Sequence, residues 1–213
     1  MALAITTEQE QLADAVTQFA ARHAPLDKTR AAFDSIAAGE LPSWWEEFTA
    51  HGFAAVHIQE ESGGQGGTLA DMACVVEAAA AALLPGPLLS TATAGAVAAL
   101  AGPAAAPLLT DLAAGATAAV VLPEHSTVHA VHDGDSWRLN GSTGTTLGLC
   151  AAQRILVAAH AGEGADLWFV LDAGSGDEAM AIRAAKPQLL PFAIAAQTDE
   201  DIAHARRFPC FPA

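Results

Sequence analysis

The chain has 213 residues, 52% of them hydrophobic, and 9 Lys and Arg against 24 Asp and Glu give a formal charge of -15. That length suits one large domain or two small ones around a substantial core, and that charge repels phosphate backbones and anionic lipid surfaces. Nucleic-acid and membrane partners are therefore not expected, while a small anionic ligand held by a few local basic groups and backbone N–H donors stays open.

Cys74, Cys150 and Cys210 are odd in number and form no CxxC or Cys/His metal spacing, so they read as reduced thiols of a cytoplasmic protein. Met1–Ile5 lacks a basic start and an apolar signal segment, and acidic residues follow at once. The Ala-rich stretches 78–84 and 94–109 are broken by Gly and Pro or are too short to span a bilayer.

Thr7-Glu8-Gln9-Glu10 has capping-box spacing, and Leu12, Val16, Phe19 and Ala20 recur on one helical face until Pro25. Ser43 and Glu46 repeat that logic for a short helix through Trp45 and Phe48, stopped by Gly52. Phe53 to Ile58 reads as an extended apolar run, and residues 62–67 as a glycine loop. Thr68 then caps a helix carrying Met72, Val75, Val76, Ala79 and Leu83, which Pro85-Gly86-Pro87 ends before an Ala-rich helix pair split at Gly102-Pro103.

Beyond about residue 115 the period changes. Short β-favouring runs at 117–122, 127–132, 137–139, 155–159, 167–171 and 180–183 alternate with turn signals such as Asp133-Gly134-Asp135 and Asn140-Gly141. The fold class is α+β: a helical domain (1–115), a small antiparallel β-barrel or sandwich (116–185) and an irregular or short helical tail (186–213). In the tail, residues 199–207 place acids before bases as a helix prefers, and an altered end to the chain fits equally well.

Gly63-Gly64-Gln65-Gly66-Gly67 lacks the third glycine of a dinucleotide fingerprint, since Leu69 stands there, and lacks the Lys-Ser/Thr of a P-loop. It reads as a tight structural connection. His125, His129 and His132 do not fall on one strand face, so they predict no metal centre. Trp44, Trp45, Trp137 and Trp168 read as packing anchors, and the paired acids as caps and solvated faces. No nucleophile elbow or Cys/His pair supports covalent acyl transfer.

Taken together, Ile58-Gln59-Glu60-Glu61-Ser62-Gly63-Gly64, the Pro85-Gly86-Pro87-Leu88-Leu89-Ser90-Thr91 segment, Thr6-Thr7-Glu8-Gln9, Trp137-Arg138-Leu139-Asn140-Gly141 and Ile155–Ala159 resemble the acyl-CoA dehydrogenase family across roughly residues 5–185. That resemblance implies the family's N-terminal helical domain and middle β domain, FAD as cofactor, an acyl-CoA substrate of fatty acid or lipid catabolism, and assembly as a homo- or hetero-oligomer with an acyl-CoA dehydrogenase-like chain. It also implies that the catalytic glutamate belongs to a third, helical domain, so no residue here inherits the base.

By the same resemblance, Leu122, Glu124, Thr145, Thr146 and Leu147 fall at cofactor-binding positions, and Ser126 and Thr127 at substrate-binding ones. Where relatives carry Thr-Glu-Pro and Trp-Ile-Thr, this chain has Val121-Leu122-Pro123 and Thr145-Thr146-Leu147. Two readings follow: an acyl-CoA dehydrogenase-like oxidoreductase completed by a partner, or a non-catalytic partner subunit with a degenerate pocket. Both predict weak flavin binding by this chain alone and an apolar face that drives association.

Overall fold

The computed structural model describes residues 5–133, 136–162 and 166–173, together with the backbone of three strands at 182–183, 193–196 and 202–208. Helix α1 (Thr7–His23) is capped one residue earlier than the Thr7/Glu10 spacing suggests. Thr6 accepts from the Gln9 amide, and the Gln9 side chain accepts from Thr6 N–H while its amide donates to Asp71 at 2.9 Å. Gln9 can do both because an amide carries acceptor and donor, whereas a glutamate there would face the Asp71 carboxylate.

Two short helices unread in the sequence follow, α2 (Leu26–Ala31) and α3 (Phe33–Ala37). Helix α4 (Trp45–Ala50) has no side-chain cap, contrary to the role given to Ser43, and ends at Gly52 in the left-handed region. The run after it is not extended. Phe53–Ala55 is a 3-10 turn, and the backbone carbonyls of Ala55, Val56 and Ile58 are taken by the N–H groups of Gln65, Gly67 and Gly66. A short buried apolar run satisfies its burial equally well coiled or extended, so periodicity does not separate the two.

Thr68 caps α5 (Leu69–Ala81) through a box with Asp71, as expected. Helices α6 (Leu88–Leu100) and α7 (Ala106–Ala113) flank Gly102-Pro103. Val16 and Phe19 of α1, Trp44, Trp45 and Phe48, and Met72 and Val75 of α5 form one aromatic-rich core, with Phe48 wholly buried. Those two tryptophans are the packing anchors their sequence positions suggest.

The strands are β1 (Ala118–Val121), β2 (His129–Asp133), β3 (Ser136–Asn140), β4 (Thr145–Leu147), β5 (Arg154–His160), β6 (Asp166–Asp172), β7 (Ile182–Arg183), β8 (Ala193–Ala196) and β9 (Ile202–Phe208). Pairings run β5–β6–β9–β3–β2, and β2 returns to β5 through His129 and His160, so this sheet closes on itself. β4, β8 and β7 form a separate ribbon.

Two expectations are corrected here. The sheet is mixed and not purely antiparallel, because β1 runs parallel to β5; the long intervening chain removes the hairpin constraint that would impose antiparallel pairing. Residues 202–208 form a strand where an irregular or short helical tail was expected, lying antiparallel to both β3 and β6. Filling the gap between two strand edges outweighs a favourable charge order.

Helical and β parts share a core. Leu156 of β5 and Ala118 of β1 pack with Ile58, Ala94, Ala98, Leu108 and Leu112. Polar ties cross the same boundary: the Arg154 guanidinium bridges Asp111 of α7 and Asp172 of β6, Ala118 N–H donates to Thr91 Oγ1, and Trp45 Nε1 donates to the Gly115 carbonyl. No helix among the described residues is long and apolar enough to cross a membrane.

Candidate functional site

A cavity of about 460 Å³ opens where the end of α5, the start of α6, the α2–α3 arm and the segment after β4 meet. Phe33, Ile36, Leu83, Leu84, Leu88 and Leu147 give it an almost wholly apolar wall. Three of these, Phe33, Leu83 and Leu147, keep 45%, 62% and 43% of their surface exposed, so the wall continues onto an uncovered apolar rim.

Local chain geometry builds this wall at some cost. Leu83 sits at φ 54, the only non-glycine residue with positive φ among those described, where the α5 C-terminus closes through Leu84 N–H to the Ala79 carbonyl. Leucine there costs about 1–2 kcal/mol relative to glycine's ease in that region, and in return its side chain lies on the cavity wall. Across the cavity Gly148 adopts φ 75, and a Cβ on it would collide with the Ser90 hydroxyl. That close approach lets the β part touch the start of α6. Ser90 itself is buried, its hydroxyl donating to the Pro87 carbonyl at 3.0 Å.

Segments 125–127 and 142–144, distant in sequence, lie side by side. Thr127 N–H donates to the Ser142 carbonyl at 2.8 Å, Gly144 N–H to the His125 carbonyl at 2.7 Å, and Ser126 bridges Thr143. Among the site residues expected from sequence, Leu147 alone lines the cavity. Leu122, 40% exposed, follows β1, which packs against β4. Glu124 and Thr145 are exposed, and Thr146 is buried with its hydroxyl donating to the Gly144 carbonyl. The Ser126 hydroxyl accepts from Val128 N–H, and the Thr127 hydroxyl pairs with Ser142.

Sequence reasoning missed Phe33, Ile36, Glu40 and Gly148 as wall residues, and the only advance signal was the Pro85-Gly86-Pro87 break. The glycine loop is structural as expected: its N–H groups serve the neighbouring backbone, and a Cβ on Gly64 would strike the Ile58 carbonyl. His129 stands 5.6 Å from His160, itself bonded to Asp166, while His132 packs on Trp137. Among the described residues no group of three His, Cys, Asp or Glu is arranged to hold a metal.

His57 was also unread. It is 7% exposed, lies against α6 where Gly95 leaves room for the ring, and neither ring nitrogen has a hydrogen-bond partner. Burial pushes its pKa below the ordinary 6.5; the Ala92 backbone opposes that shift from nearby but outside hydrogen-bonding geometry. Unfolded chains thus bind the proton more readily than folded ones. Stability from this residue is complete above about pH 6.5 and is lost as pH falls below it, toward the depressed folded-state value. Urea melts of the wild type and of His57→Leu between about pH 7.5 and 5.5 are expected to converge in pH dependence except for this contribution, which the variant lacks. Equal slopes for the two proteins would contradict the buried, uncharged ring.

The class that emerges is an α+β protein in which a helical layer leans on a small closed sheet and an apolar cavity lies near their junction. Residues 6–105 match the family model described as "Acyl-CoA dehydrogenase, N-terminal domain", so the helical part of the chain is similar to the N-terminal domain of that family. Acyl-CoA dehydrogenase IpdE2 of Mycolicibacterium smegmatis is 41% identical over 91 residues, 42% of this chain and 29% of that protein. IpdE2 of Mycobacterium tuberculosis is 40% identical over 87 residues, 41% of this chain and 27% of that protein. The matched region thus spans less than a third of either relative.

Among solved structures, a variant of the Tcur3481-Tcur3483 steroid ACAD superposes with a TM-score of 0.80 at 23% identity, covering 96% of this chain and 57% of that one. The ChsE4-ChsE5 complex from Mycobacterium tuberculosis gives a TM-score of 0.79 at 20% identity, covering 98% and 58%. At those identities the likeness establishes the fold.

Proposed function

We propose that this chain supplies the acyl-binding wall and one flavin-facing ledge of an acyl-CoA dehydrogenase-type oxidoreductase, which removes hydrogens from the α and β carbons of an acyl-CoA thioester. One observation carries the reading: Leu147, at a flavin-contact position by family resemblance, meets the start of α6 across an apolar cavity of about 460 Å³. A cavity of this size and character suits an acyl group bound by burial of its hydrocarbon surface. The similarity to a steroid ACAD favours a bulky acyl group.

Exposed Leu122 and Leu147, with exposed Thr145 on the same strand as Leu147, fit one face of a planar aromatic ring system such as the isoalloxazine of FAD. Glu124 and Thr146 fit less well, the first being an exposed carboxylate and the second having its hydroxyl turned to Gly144. When bound, the flavin supplies the hydride acceptor. The wall residues bury the acyl chain and exclude water, while by family resemblance the base belongs to a helical domain outside residues 1–213. The fold's likeness to the ChsE4-ChsE5 complex supports a hetero-oligomeric setting, and the free thiols of Cys74 and Cys150 suit a reducing cytoplasm.

A second reading, a non-catalytic partner subunit, is favoured by Thr146, whose hydroxyl is committed to the Gly144 carbonyl. Both readings are tested by purifying the chain alone and after co-expression with an acyl-CoA dehydrogenase-like chain encoded beside it. Little visible flavin absorbance is expected alone, with flavin and acyl-CoA-dependent dye reduction in the complex. Absence of flavin from both preparations overturns the oxidoreductase reading. A complex whose activity is unchanged by Leu147→Glu favours the non-catalytic role.

A further inference from the structure

We infer that Glu40 makes this cavity selective for an apolar ligand bearing a hydrogen-bond donor, such as a hydroxylated acyl group, over one that lacks a donor or ends in an anion. The inference rests on the reading of the cavity as the acyl site. Glu40 is the one ionisable residue on the wall. The hydroxyls of the wall residues Thr29 and Ser90 donate to the Ala24 carbonyl at 3.3 Å and to the Pro87 carbonyl, which leaves their oxygens as neutral, weaker acceptors. Glu40, exposed at the cavity rim, makes no side-chain hydrogen bond or ion pair among the described residues, so its carboxylate is the one charged acceptor on the wall.

Backbone geometry holds the turn that carries Glu40 at the cavity rim. Helix α3 ends with Gly39 N–H bonded to the Ile36 carbonyl and Glu40 N–H to the Ser35 carbonyl. Gly39 lies at φ 97 with its Cα against Cys150, where a Cβ would stand 2.6 Å from the carbonyl oxygen. Only glycine permits that contact, and it presses the turn carrying Glu40 onto the segment that also gives the cavity Gly148 and Ala151. An acceptor-only group on an otherwise apolar wall rewards a ligand O–H and repels a ligand carboxylate.

Displacement of N-phenyl-1-naphthylamine fluorescence from the full chain tests this with three probes of equal chain length: 1-decanol, decyl methyl ether and decanoate. Wild type is expected to bind decanol about five- to tenfold more tightly than the ether, as a hydrogen bond to a partly solvated carboxylate allows. Glu40→Gln keeps an acceptor, so it is expected to retain most of that preference while gaining affinity for decanoate. Glu40→Leu loses the preference altogether. A preference unchanged in Glu40→Leu, or none in the wild type, overturns the assignment. Failure of every probe to bind overturns the cavity reading and this inference with it. An intact decanol preference in a protein that never assembles with flavin leaves this inference standing and sinks the oxidoreductase reading.

Discussion

Gly64→Ala is expected to lose about 4 kcal/mol or more of folding stability, an outcome reserved for direct backbone collisions and similarly severe defects. The new methyl would meet the Ile58 carbonyl oxygen, carbon and Cβ, all on a segment whose own backbone is bonded to the loop. Neither side can retreat without breaking the bonds from Gly66 to Ile58 and from Gly67 to Val56, each 2.8 Å. Gly102→Ala is the control. Its φ of 67 strains an alanine, but nothing lies within 4 Å, so about 1 kcal/mol is expected. Chemical denaturation of both variants decides the matter, and a Gly64→Ala protein as stable as Gly102→Ala would mean the loop is not packed against residues 56–58.

Leu156→Ala should cost about 3 kcal/mol, within the usual range for a buried leucine, and lower the midpoint by about 6–12 °C for a chain of this size. Leu156 is 1% exposed and belongs to a β strand, yet its neighbours are Ile58, Leu108 and Leu112 from the helical part. Many of the remaining neighbours are alanines, whose short side chains cannot reach into the vacated space. The informative readout is cooperativity: far-UV circular dichroism, dominated by helices, and near-UV signals from the four tryptophans, Trp44 and Trp45 in the helical core and Trp137 and Trp168 in the sheet, are expected to shift together. A helical signal that stays put while the tryptophan signal moves would mean that the two parts unfold independently.

Much of the helical layer was readable because caps and apolar spacing are local properties. Thr68 with Asp71, the Pro85–Pro87 break and the Gly102-Pro103 split all act within a turn or two of chain. Features set by distant partners were not readable. Residues 53–58 coil because three amides from the glycine loop claim their carbonyls, and 202–208 extend because β3 and β6 flank them. Thr6 takes the cap in place of Thr7 with Gln9 as its partner, and the Gln9 side chain is itself tied to Asp71, sixty-two positions further on.

The site divides in the same way. Family likeness picked out Leu147 and the 122–127 and 145–147 segments, and the fold does lay residues 125–127 beside 142–144. The wall itself needs Phe33, Leu83 and Leu88, which look in sequence like ordinary apolar positions until the chain brings them together. His57 sits in an apolar run, where nothing local distinguishes a buried imidazole from an exposed one.

The way the closed sheet is fastened has its own consequence. β5 and β6 are laced along their whole length, but β2 meets β5 only at the His129–His160 register pair, beside the His160 N–H bond to the Val128 carbonyl. A ring held by one clasp parts there first. Breathing of this small β unit is thus directed to a single gap, through which solvent reaches the side chains around Leu139 and Phe169 long before the molecule as a whole comes undone.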